Sequence, residues 1–367
     1  MIVMNNVSFE YDNEDRKSGV YNINLYIPKG QVVMLCGPSG CGKTTIARLI
    51  SGLAPLYYPG DLKGRVLIDG ENVEEINELK VGSIFQNPRT QFFNVNTTDE
   101  IAFGCENAGV DKEEIYTRIA QVTRELNMEY LLDKNLFTLS AGEKQKIACA
   151  SVAAMEPEIF ILDEPSSNMD LSTILDLKAL IEKWKKRGKT VIVAEHRLYY
   201  LTTLADRVIY MKEGRIGFDI PMEKFTDLDV ETLHKNGLRS QRTVYFFPKT
   251  KRFSEKDILH FKNLSFSYGK KFLLHIPEIS VPAGAVIAVL GYNGAGKSAF
   301  AKAICGFERG AGGVLYYKGK RFGTGARKRL SYMIVQDVNS QLFTESVLEE
   351  IMLSMDDERD DVRLEAE

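Results

Sequence analysis

Short, almost entirely apolar runs bounded by polar turns recur along the first half of the chain. Residues 31–36, 158–162 and 190–194 have this character, which is typical of strands buried on both faces of a parallel sheet. Residues 5–11 and 21–27 instead alternate apolar and polar positions, as half-exposed antiparallel strands do. The pattern predicts an α/β protein that contains both a buried sheet and an antiparallel one.

Helical periodicity occupies the intervals between these strands. It extends from about residue 98 to residue 139, which predicts an inserted helical subdomain. The other predicted elements are helices at residues 44–51, 144–155 and 171–186, strands at residues 64–70 and 81–85, and a closing hairpin at residues 206–216.

The second half of the chain repeats the order of the first. A strand at residues 285–290 precedes a helix that starts near Lys297, and a strand at residues 330–335 matches the one at 81–85. An internal repeat of this size indicates tandem domains. We expect a first domain at residues 1–234, a lysine- and arginine-rich linker at 235–256, and a second domain at 257–367.

Composition and charge argue against a nucleic-acid-binding, secreted or membrane-spanning protein. The chain has 367 residues, 44% hydrophobic and 26% charged, with a net charge of -3; this charge gives no reason to expect nucleic acid as a partner. The N-terminus meets polar residues too early for a signal peptide, and no apolar run is long enough to cross a bilayer. We therefore expect membrane contact only through a partner. Five scattered cysteines fit a reducing cytosol.

The sequence at residues 37–44 is a complete phosphate-binding loop, G-x-x-x-x-G-K-[ST], between a predicted strand and a predicted helix. Its backbone N–H groups would surround phosphate oxygens at a helix N-terminus. Lys43 would reach the β- and γ-phosphates, and the Thr44 hydroxyl would bind Mg²⁺. A functionless glycine-rich turn is disfavoured by the strand and helix around it. The ATP-binding residues expected here are Gly37, Pro38, Ser39, Gly40, Cys41, Gly42, Lys43, Thr44 and Thr45.

A second loop of this kind occurs at residues 291–298, and its Lys297 lies 254 residues after Lys43. A tyrosine ends a predicted strand before each loop, Tyr11 in the first domain and Tyr268 in the second. A lone strand-end tyrosine is usually structural, but the repetition favours stacking on a purine base. The second set of ATP-binding residues is Tyr268, Gly291, Tyr292, Asn293, Gly294, Ala295, Gly296, Lys297, Ser298, Ala299 and Gln336, of which Ser298 and Gln336 would also contact Mg²⁺.

Polar residues follow several buried strands at the edge where open α/β sheets bind ligands. Asp163 and Glu164 end one strand; Asp163 would hold Mg²⁺ and Glu164 would polarise the attacking water. Gln86 would contact Mg²⁺ or water, and His196 follows the next strand. Lys43, Gln86, Glu164 and His196 are the candidate catalytic residues. The alternatives are a solvated acidic turn and a structural histidine.

Taken together, these motifs resemble the ATP-binding cassette (ABC) ATPases over essentially the whole chain. Residues 37–44 resemble Walker A, Gln86 the Q-loop, residues 159–164 Walker B, residues 167–170 the D-loop and His196 the switch histidine. Residues 139–145 resemble the family signature, which contacts ATP bound to the opposite cassette. The resemblance assigns this contact to Leu139, Ser140, Ala141, Gly142 and Glu143. Ala141 and Glu143 depart from the commonest signature, but Ser140 and the helix N-terminus are kept, so we expect function to survive.

The resemblance implies a P-loop NTPase of the ABC ATPase fold, with an antiparallel β subdomain and an inserted helical subdomain, duplicated in tandem. Residues 85–93 and 99–104 are similar to the ATPases of energy-coupling-factor transporters, which import vitamins and metal ions. Two cassettes in one chain resemble the fused form of that group. The implied cofactors are ATP and Mg²⁺. The implied partners are a second ATPase cassette, an energy-coupling transmembrane protein and a substrate-binding component, with the chain cytoplasmic and peripheral on the inner face of the membrane.

An offset of 254 residues places the second-domain counterparts of Ser140, Glu164 and His196 near positions 394, 418 and 450, past Glu367. We therefore expect the second domain to comprise only the N-terminal part of a cassette. Two other functions stay open at this stage. One is a soluble tandem ATPase acting on ribosomes or nucleic acid, which the short linker disfavours; the other is a non-catalytic nucleotide-binding fragment.

Overall fold

The structure is a computed structural model of the chain. It describes residues 1–12, 18–76, 78–167, 169–239, 258–268, 271–292, 294–307, 312–335 and 338–353. These divide into two compact units, Met1–Phe247 and Pro248–Glu367. Most of the predicted linker and the acidic segment at residues 356–361 lie outside the described residues. In the part of the chain that the structure describes, no helix combines the length and apolarity needed to cross a bilayer.

Unit 1 contains two sheets. Its strands are β1 (Ile2–Tyr11), β2 (Gly19–Ile27), β3 (Val32–Cys36), β4 (Gly60–Ile68), β5 (Glu71–Asn72), β6 (Val81–Ile84), β7 (Ile159–Asp163), β8 (Thr190–Ala194), β9 (Arg207–Lys212) and β10 (Arg215–Pro221). The antiparallel sheet has the order β2-β1-β4-β5, and the central sheet has the order β10-β9-β3-β8-β7-β6. All neighbours in the central sheet are parallel except β10, which runs antiparallel to β9.

Helices cover the central sheet. They are α1 (Lys43–Ile50), α2 (Leu53–Leu56), α3 (Thr97–Asn107), α4 (Lys112–Glu125), α5 (Ala141–Ala154), α6 (Leu171–Lys186), α7 (Met222–Thr226) and α8 (Val230–Lys235). Between β6 and β7, α3 and α4 pack on α5 as the inserted helical region. Alternate side chains of β3 belong to two different hydrophobic cores. Val32 and Met34 lie in one core, and Val33 and Leu35 lie in the other. The predicted α/β fold is thereby confirmed, and every residue of β3, β7 and β8 is buried.

Unit 2 repeats the antiparallel sheet. Its strands are β11 (Ile258–Tyr268), β12 (Lys271–Pro282), β13 (Val314–Tyr317) and β14 (Lys320–Phe322), and its helices are α9 (Lys297–Cys305), α10 (Thr324–Leu330) and α11 (Val347–Met352). The order β12-β11-β13-β14 matches β2-β1-β4-β5 of unit 1. The duplication predicted from the sequence is thus visible in the fold.

Two strands predicted in unit 2 are not formed. Residues 285–290 and 331–335 have extended apolar sequences but belong to no strand, and Val286 and Leu290 are 100% and 89% exposed. The prediction was wrong because a strand needs hydrogen-bonded neighbours. In unit 1, β3 lies between β8 and β9 and β6 lies beside β7, whereas the described residues of unit 2 supply no strand for these positions.

Candidate nucleotide-binding and catalytic site

The first phosphate-binding loop connects β3 to α1 and encloses its lysine. The Lys43 ammonium donates hydrogen bonds to the carbonyl oxygens of Gly37 and Pro38, both at 3.0 Å, and the side chain is only 5% exposed. The cation is therefore already fixed at the centre of the loop, where a phosphate chain would be bound. Helix α1 begins at Lys43 itself, so its free N-terminal N–H groups face the same place.

Two glycines of this loop are required by their surroundings. Gly37 has φ 150°, and a Cβ there would lie 2.2 Å from the carbonyl oxygen of Met211 on β9. Gly42 has φ 105°, and a Cβ there would lie 2.7 Å from Val20 of β2. Side chains at both positions would be strained and would clash. The loop therefore packs directly on strands of both sheets.

Thr44 and Asp163 meet beside the loop at the end of β7. Burial raises the pKa of the Asp163 carboxyl, and a hydrogen bond from the Thr44 side chain opposes that rise. Oδ1 of Asp163 is buried and has no hydrogen-bond partner among the described atoms. A hydroxyl next to an unpaired buried carboxylate oxygen is a donor set that suits Mg²⁺, which otherwise takes phosphate and water oxygens. A cavity of about 260 Å³ adjoins Thr44, Asp163 and Gln86.

Glu164 is the meeting point of the predicted catalytic residues. Oε1 of its carboxylate lies 3.1 Å from Nε2 of His196, and Oε2 accepts a hydrogen bond from Nε2 of Gln86 at 2.9 Å. The hydrogen bond from His196 holds the pKa of Glu164 below its ordinary value. The backbone is in the left-handed region, with φ 45°, and its N–H donates to the Ala194 carbonyl at 2.8 Å. Glu164 is thereby attached to the end of β8, from which His196 follows.

Glu195, which the sequence analysis did not select, is a buried carboxylate that organises the same edge. It is 2% exposed and accepts four hydrogen bonds. The donors are the backbone N–H groups of Ser166, His196 and Arg197 and the hydroxyl of Tyr200. Burial raises the pKa of Tyr200 well above its usual value, so the phenol stays a donor. An acidic residue directly after β8, of which every residue is buried, was the sequence signal for this role.

Tyr11 ends β1, as predicted, and its side chain lies beside the first turns of α1. Its hydroxyl donates to Oγ1 of Thr45 at 3.2 Å and accepts from Nη1 of Arg48 at 3.0 Å. The Arg48 guanidinium also covers the ring of Tyr58, 3.6 Å from its centroid. Arg48 was not predicted, and nothing in the sequence pattern distinguishes it from an ordinary helix-surface arginine.

The signature residues begin α5 through a capping box. The Ser140 hydroxyl donates to Oε2 of Glu143 at 2.7 Å, the same oxygen accepts from the Ser140 N–H at 2.8 Å, and the Glu143 N–H donates back to the hydroxyl at 3.3 Å. Leu139 precedes the cap, and Ala141 and Gly142 form the first helical positions. The departure at position 143 therefore places a carboxylate on the N-terminal turn of the helix.

In unit 2, the second loop repeats the lysine geometry. Nζ of Lys297 donates to the carbonyl oxygens of Gly291 and Tyr292, both at 2.7 Å. Ser298 and Ala299 follow in the first turn of α9, and Tyr268 ends β11. The predicted residues Asn293 and Gln336 lie outside the described residues. Gly294, Ala295 and Gly296 complete the loop before α9.

The segment after the Q-loop is held in the same way in both units. In unit 1, buried Glu100 accepts hydrogen bonds from the backbone N–H groups of Phe93 and Asn94 at 3.0 and 2.7 Å. In unit 2, Glu350 accepts from those of Phe343 and Thr344 at 2.8 and 2.9 Å. In unit 1 this arrangement leaves the Phe93 side chain 75% exposed, stacked on Phe103 at the rim of an open groove of about 590 Å³.

Comparison with known proteins agrees with these motifs. A family model described as "ABC transporter" matches residues 20–167 and 274–366. A putative ABC transporter ATP-binding protein of Treponema denticola is 44% identical over 368 residues, which cover 97% of this chain and 75% of that protein. A putative HMP/thiamine import ATP-binding protein of Bacillus subtilis, YkoD, is 31% identical, covering 96% of this chain and 70% of that protein.

Solved structures give the same fold. CbiO1 from Clostridium perfringens, part of the transporter complex cbiONQ, matches with a TM-score of 0.53 and 27% identity over 64% of this chain and 93% of that one. The dimeric cassette MJ0796 in a post-hydrolysis state with ADP and phosphate matches with a TM-score of 0.55 and 24% identity over 60% of this chain and 99% of that one. At that identity the second match supports the fold alone.

Proposed function

Because this chain belongs to the ABC transporter family of ATP-binding proteins, we propose that its hydrolysis of ATP powers the import of a vitamin or metal ion through an energy-coupling-factor type transporter. The Bacillus subtilis relative is named for HMP/thiamine import, and the Clostridium perfringens structure belongs to a transporter complex. Both similarities, together with the sequence at residues 85–93, support the import assignment.

The observation that carries the catalytic part of the proposal is the pair of contacts on Glu164. Its carboxylate is bonded by His196 on one oxygen and by Gln86 on the other, and the hydrogen bond from His196 keeps its pKa low. A carboxylate kept ionised at neutral pH accepts a hydrogen bond from a water molecule and orients it for attack on the γ-phosphate. In this proposal Glu164 orients the water, while His196 and Gln86 position Glu164 and sense the γ-phosphate.

The neighbouring residues would bind the phosphates. Lys43 lies at the loop centre and would neutralise the β- and γ-phosphates, whose charge spreads over the transferred group during reaction. Thr44 and Asp163 would hold Mg²⁺, which when bound neutralises phosphate charge. Among the described residues no group of three or more His, Cys, Asp or Glu side chains forms a metal site. This agrees with an ion held mainly by phosphate and water oxygens.

The signature would complete the site from a second cassette. ABC cassettes dimerise, and in this proposal Ser140 and the N-terminus of α5 contact the γ-phosphate of ATP bound to the opposite phosphate-binding loop. The capping box fixes Ser140 at the first turn. The second loop, with Lys297 and Ser298, would bind another ATP, stacked by Tyr268 as Tyr11 would stack the first.

The groove beside the Q-loop is the proposed contact with the membrane subunits. It lies between the Phe93 segment and helices α3 and α5, so a partner helix bound there would move with both regions. The proposed partners are an energy-coupling transmembrane protein and a substrate-binding component. Binding them would place the chain on the cytoplasmic face of the membrane.

Reconstitution with the membrane subunits tests the proposal. The chain and its transport partners would be placed in vesicles, and ATP turnover and uptake of candidate vitamins and metal ions would be measured together. Uptake that requires ATP and disappears in Glu164→Gln is the expected result. ATP turnover that ignores the membrane subunits, with no uptake of any solute, would instead favour a soluble cassette ATPase.

A further inference from the structure

Two residues after β8 bond to the D-loop region: Glu195 to Ser166, which directly precedes the D-loop (residues 167–170), and Arg197 to Met169 within it. Oε1 of Glu195 accepts a hydrogen bond from the Ser166 N–H at 3.1 Å, and Nη1 of Arg197 donates to the Met169 carbonyl at 3.2 Å. His196 lies between these two residues and contacts Glu164. The switch segment, residues 195–197, is therefore bonded to the residue before the D-loop and to one residue within it, while its middle residue contacts the Glu164 carboxylate.

Glu195 ties these parts together through its two oxygens. Oε1 is shared by the Ser166 N–H and the Tyr200 hydroxyl, and Oε2 by the N–H groups of His196 and Arg197. A buried carboxylate is stable only when its oxygens are well hydrogen-bonded. Since all four hydrogen bonds are to the one planar carboxylate, it links the backbone of Ser166 to the backbone of His196.

The D-loop is held at its C-terminal end by Asp170, which caps α6, and nearer its start by two backbone hydrogen bonds. The Ser167 N–H donates to the Glu164 carbonyl and the Met169 N–H to that of Ser166, both at 3.1 Å. The hydroxyls of Ser166 and Ser167 are buried and have no hydrogen-bond partner within the described part of the chain; Asn168 lies outside it. Glu195 and Arg197 are thus the two switch-segment side chains that bond to Ser166 and Met169.

We propose that Glu195 and Arg197 are positioning residues that couple the D-loop to the Glu164–His196 pair, so that displacement of the D-loop displaces the switch histidine. The coupling rests on the catalytic roles proposed above for Glu164 and His196. It makes ATP hydrolysis responsive to whatever contacts the D-loop, without a direct contact between Glu195 and the nucleotide.

Glu195→Gln should remove the hydrogen bonds of one Glu195 side-chain oxygen and keep those of the other. Its amide nitrogen must face either the Ser166 side or the two backbone N–H groups of His196 and Arg197. The Ser166 side costs less, because it has a single backbone donor and the Tyr200 hydroxyl can rotate to accept from the amide. The variant therefore loses the Ser166 bond and keeps the switch turn. Arg197→Met removes the hydrogen bond to the Met169 carbonyl and retains an aliphatic side chain of similar length.

Measurements of ATP turnover and ATP binding on the full chain test the proposed coupling. We expect each variant to lower kcat at least ten-fold while the Kd for ATP stays within two-fold and the thermal unfolding midpoint stays within a few degrees. Tyr200→Phe is the matched control, because it removes a bond to Glu195 without touching the D-loop, and its kcat should stay within two-fold. Arg197→Met alone decides the question if Glu195→Gln does not fold.

Wild-type kcat in Arg197→Met would overturn the proposal. So would a loss in Tyr200→Phe as large as that in Glu195→Gln, or a Kd that rises in parallel with the fall in kcat. Glu164→Gln in the same assay separates this inference from the proposed function. Turnover retained by Glu164→Gln would remove the catalytic assignment itself, whereas an inactive Glu164→Gln beside an unaffected Arg197→Met would remove only the coupling.

Discussion

Oε1 of Glu164 lies 3.1 Å from Nε2 of His196, although the two residues follow different strands of the central sheet. The parallel pairing of β7 with β8, which aligns Asp163 with Ala194, brings these strand ends together. The sheet register therefore brings the pair together, and the orientation of the attacking water proposed for Glu164 depends on it.

Replacing Glu164 with Gln should abolish ATP turnover and leave ATP binding near normal. In the proposed mechanism the Glu164 carboxylate orients water, whereas Lys43 binds the phosphates. Steady-state turnover and nucleotide binding by fluorescence would measure the two effects separately. Lys43→Ala is the comparison, because it removes the loop cation and should weaken binding itself. If Glu164→Gln loses as much ATP affinity as Lys43→Ala does, the role of Glu164 is wrongly assigned.

Tyr11→Ala should weaken adenine nucleotides with little effect on inorganic triphosphate. Of the proposed contacts with the nucleotide only the base stack is lost, which is worth about 1–3 kcal/mol by analogy with stacking of bases on aromatic residues. Competition binding with ATP and with triphosphate would show the difference. Tyr11→Phe keeps the ring but loses the bonds to Thr45 and Arg48, and should retain most of the affinity. Equal weakening of both ligands by Tyr11→Ala would leave Tyr11 with a structural role only.

Chains that carry Lys43→Ala and chains that carry Ser140→Arg should restore partial activity when they are mixed. Each alone lacks one half of a composite site, but a mixed pair of first cassettes contains one site with an intact Lys43 and an intact opposing Ser140. Specific activity of the wild-type chain should also rise with protein concentration. Turnover assays over a concentration series and over mixing ratios measure both effects. Pairing between the first cassettes of two chains would be contradicted if the specific activity did not change with protein concentration and mixing the two variants restored no activity.

Asp69→Asn should destabilise unit 1 more at neutral pH than in acid. Burial by itself raises the pKa of Asp69, but hydrogen bonds from the Met1 ammonium, Lys29 and Lys80 outweigh it and hold the pKa well below its usual range. A carboxyl with a lowered folded-state pKa stabilises the fold above its unfolded pKa of about 4, and this contribution is lost as the pH falls below that value.

The loss at pH 7 should be on the order of 1–3 kcal/mol in the free energy of unfolding, since the side chain is only 19% exposed. Urea unfolding at pH 7 and at pH 3 would show the difference shrinking in acid. Asn is tolerated at the left-handed backbone of position 69, where φ is 55°. Asp61→Asn, which removes an exposed pair with Lys63, is the control and should change little. A pH-independent loss in Asp69→Asn would contradict this account.

Phe93→Ser should weaken association with the membrane subunits at least ten-fold, about 1.4 kcal/mol, with ATP turnover of the isolated chain unchanged. The ring is an exposed apolar anchor at the groove, and its loss leaves the backbone bonds to Glu100 in place. Co-purification with the membrane subunits and vesicle-bound fractions would measure the effect. Tyr116→Ser, on the exposed face of α4, should bind normally. An equal loss of association in both variants would indicate non-specific binding through exposed aromatic residues.

The sequence predicts most of unit 1 because its elements carry local signals. The predicted bounds of α6 and β8 coincide with those in the structure, since both have strong apolar patterns and clear ends. The motif residues Gln86, Glu164 and His196 also converge as predicted. What pattern reading cannot supply is a contact set by tertiary packing, such as the four hydrogen bonds on Glu195 or the placement of Arg48 against Tyr11 and Tyr58.

The failure in unit 2 has the same physical origin. Residues 285–290 have the apolarity of β3, but strand structure is a property of pairing and not of one segment. Without neighbours among the described residues, the apolar run stays outside any sheet. Helix α9, whose hydrogen bonds are internal, forms as predicted.

The contacts of Gly37 with Met211 and of Gly42 with Val20 bear on how this loop can decay by mutation. Substitution of either glycine would disrupt the junction of the two sheets, so purifying selection would retain both for the sake of the fold. Lys43 has no such protection, because its hydrogen bonds are to carbonyls of its own loop. In relatives that no longer bind the nucleotide, we therefore expect substitutions at Lys43 first. The two glycines should be kept, because the fold requires them.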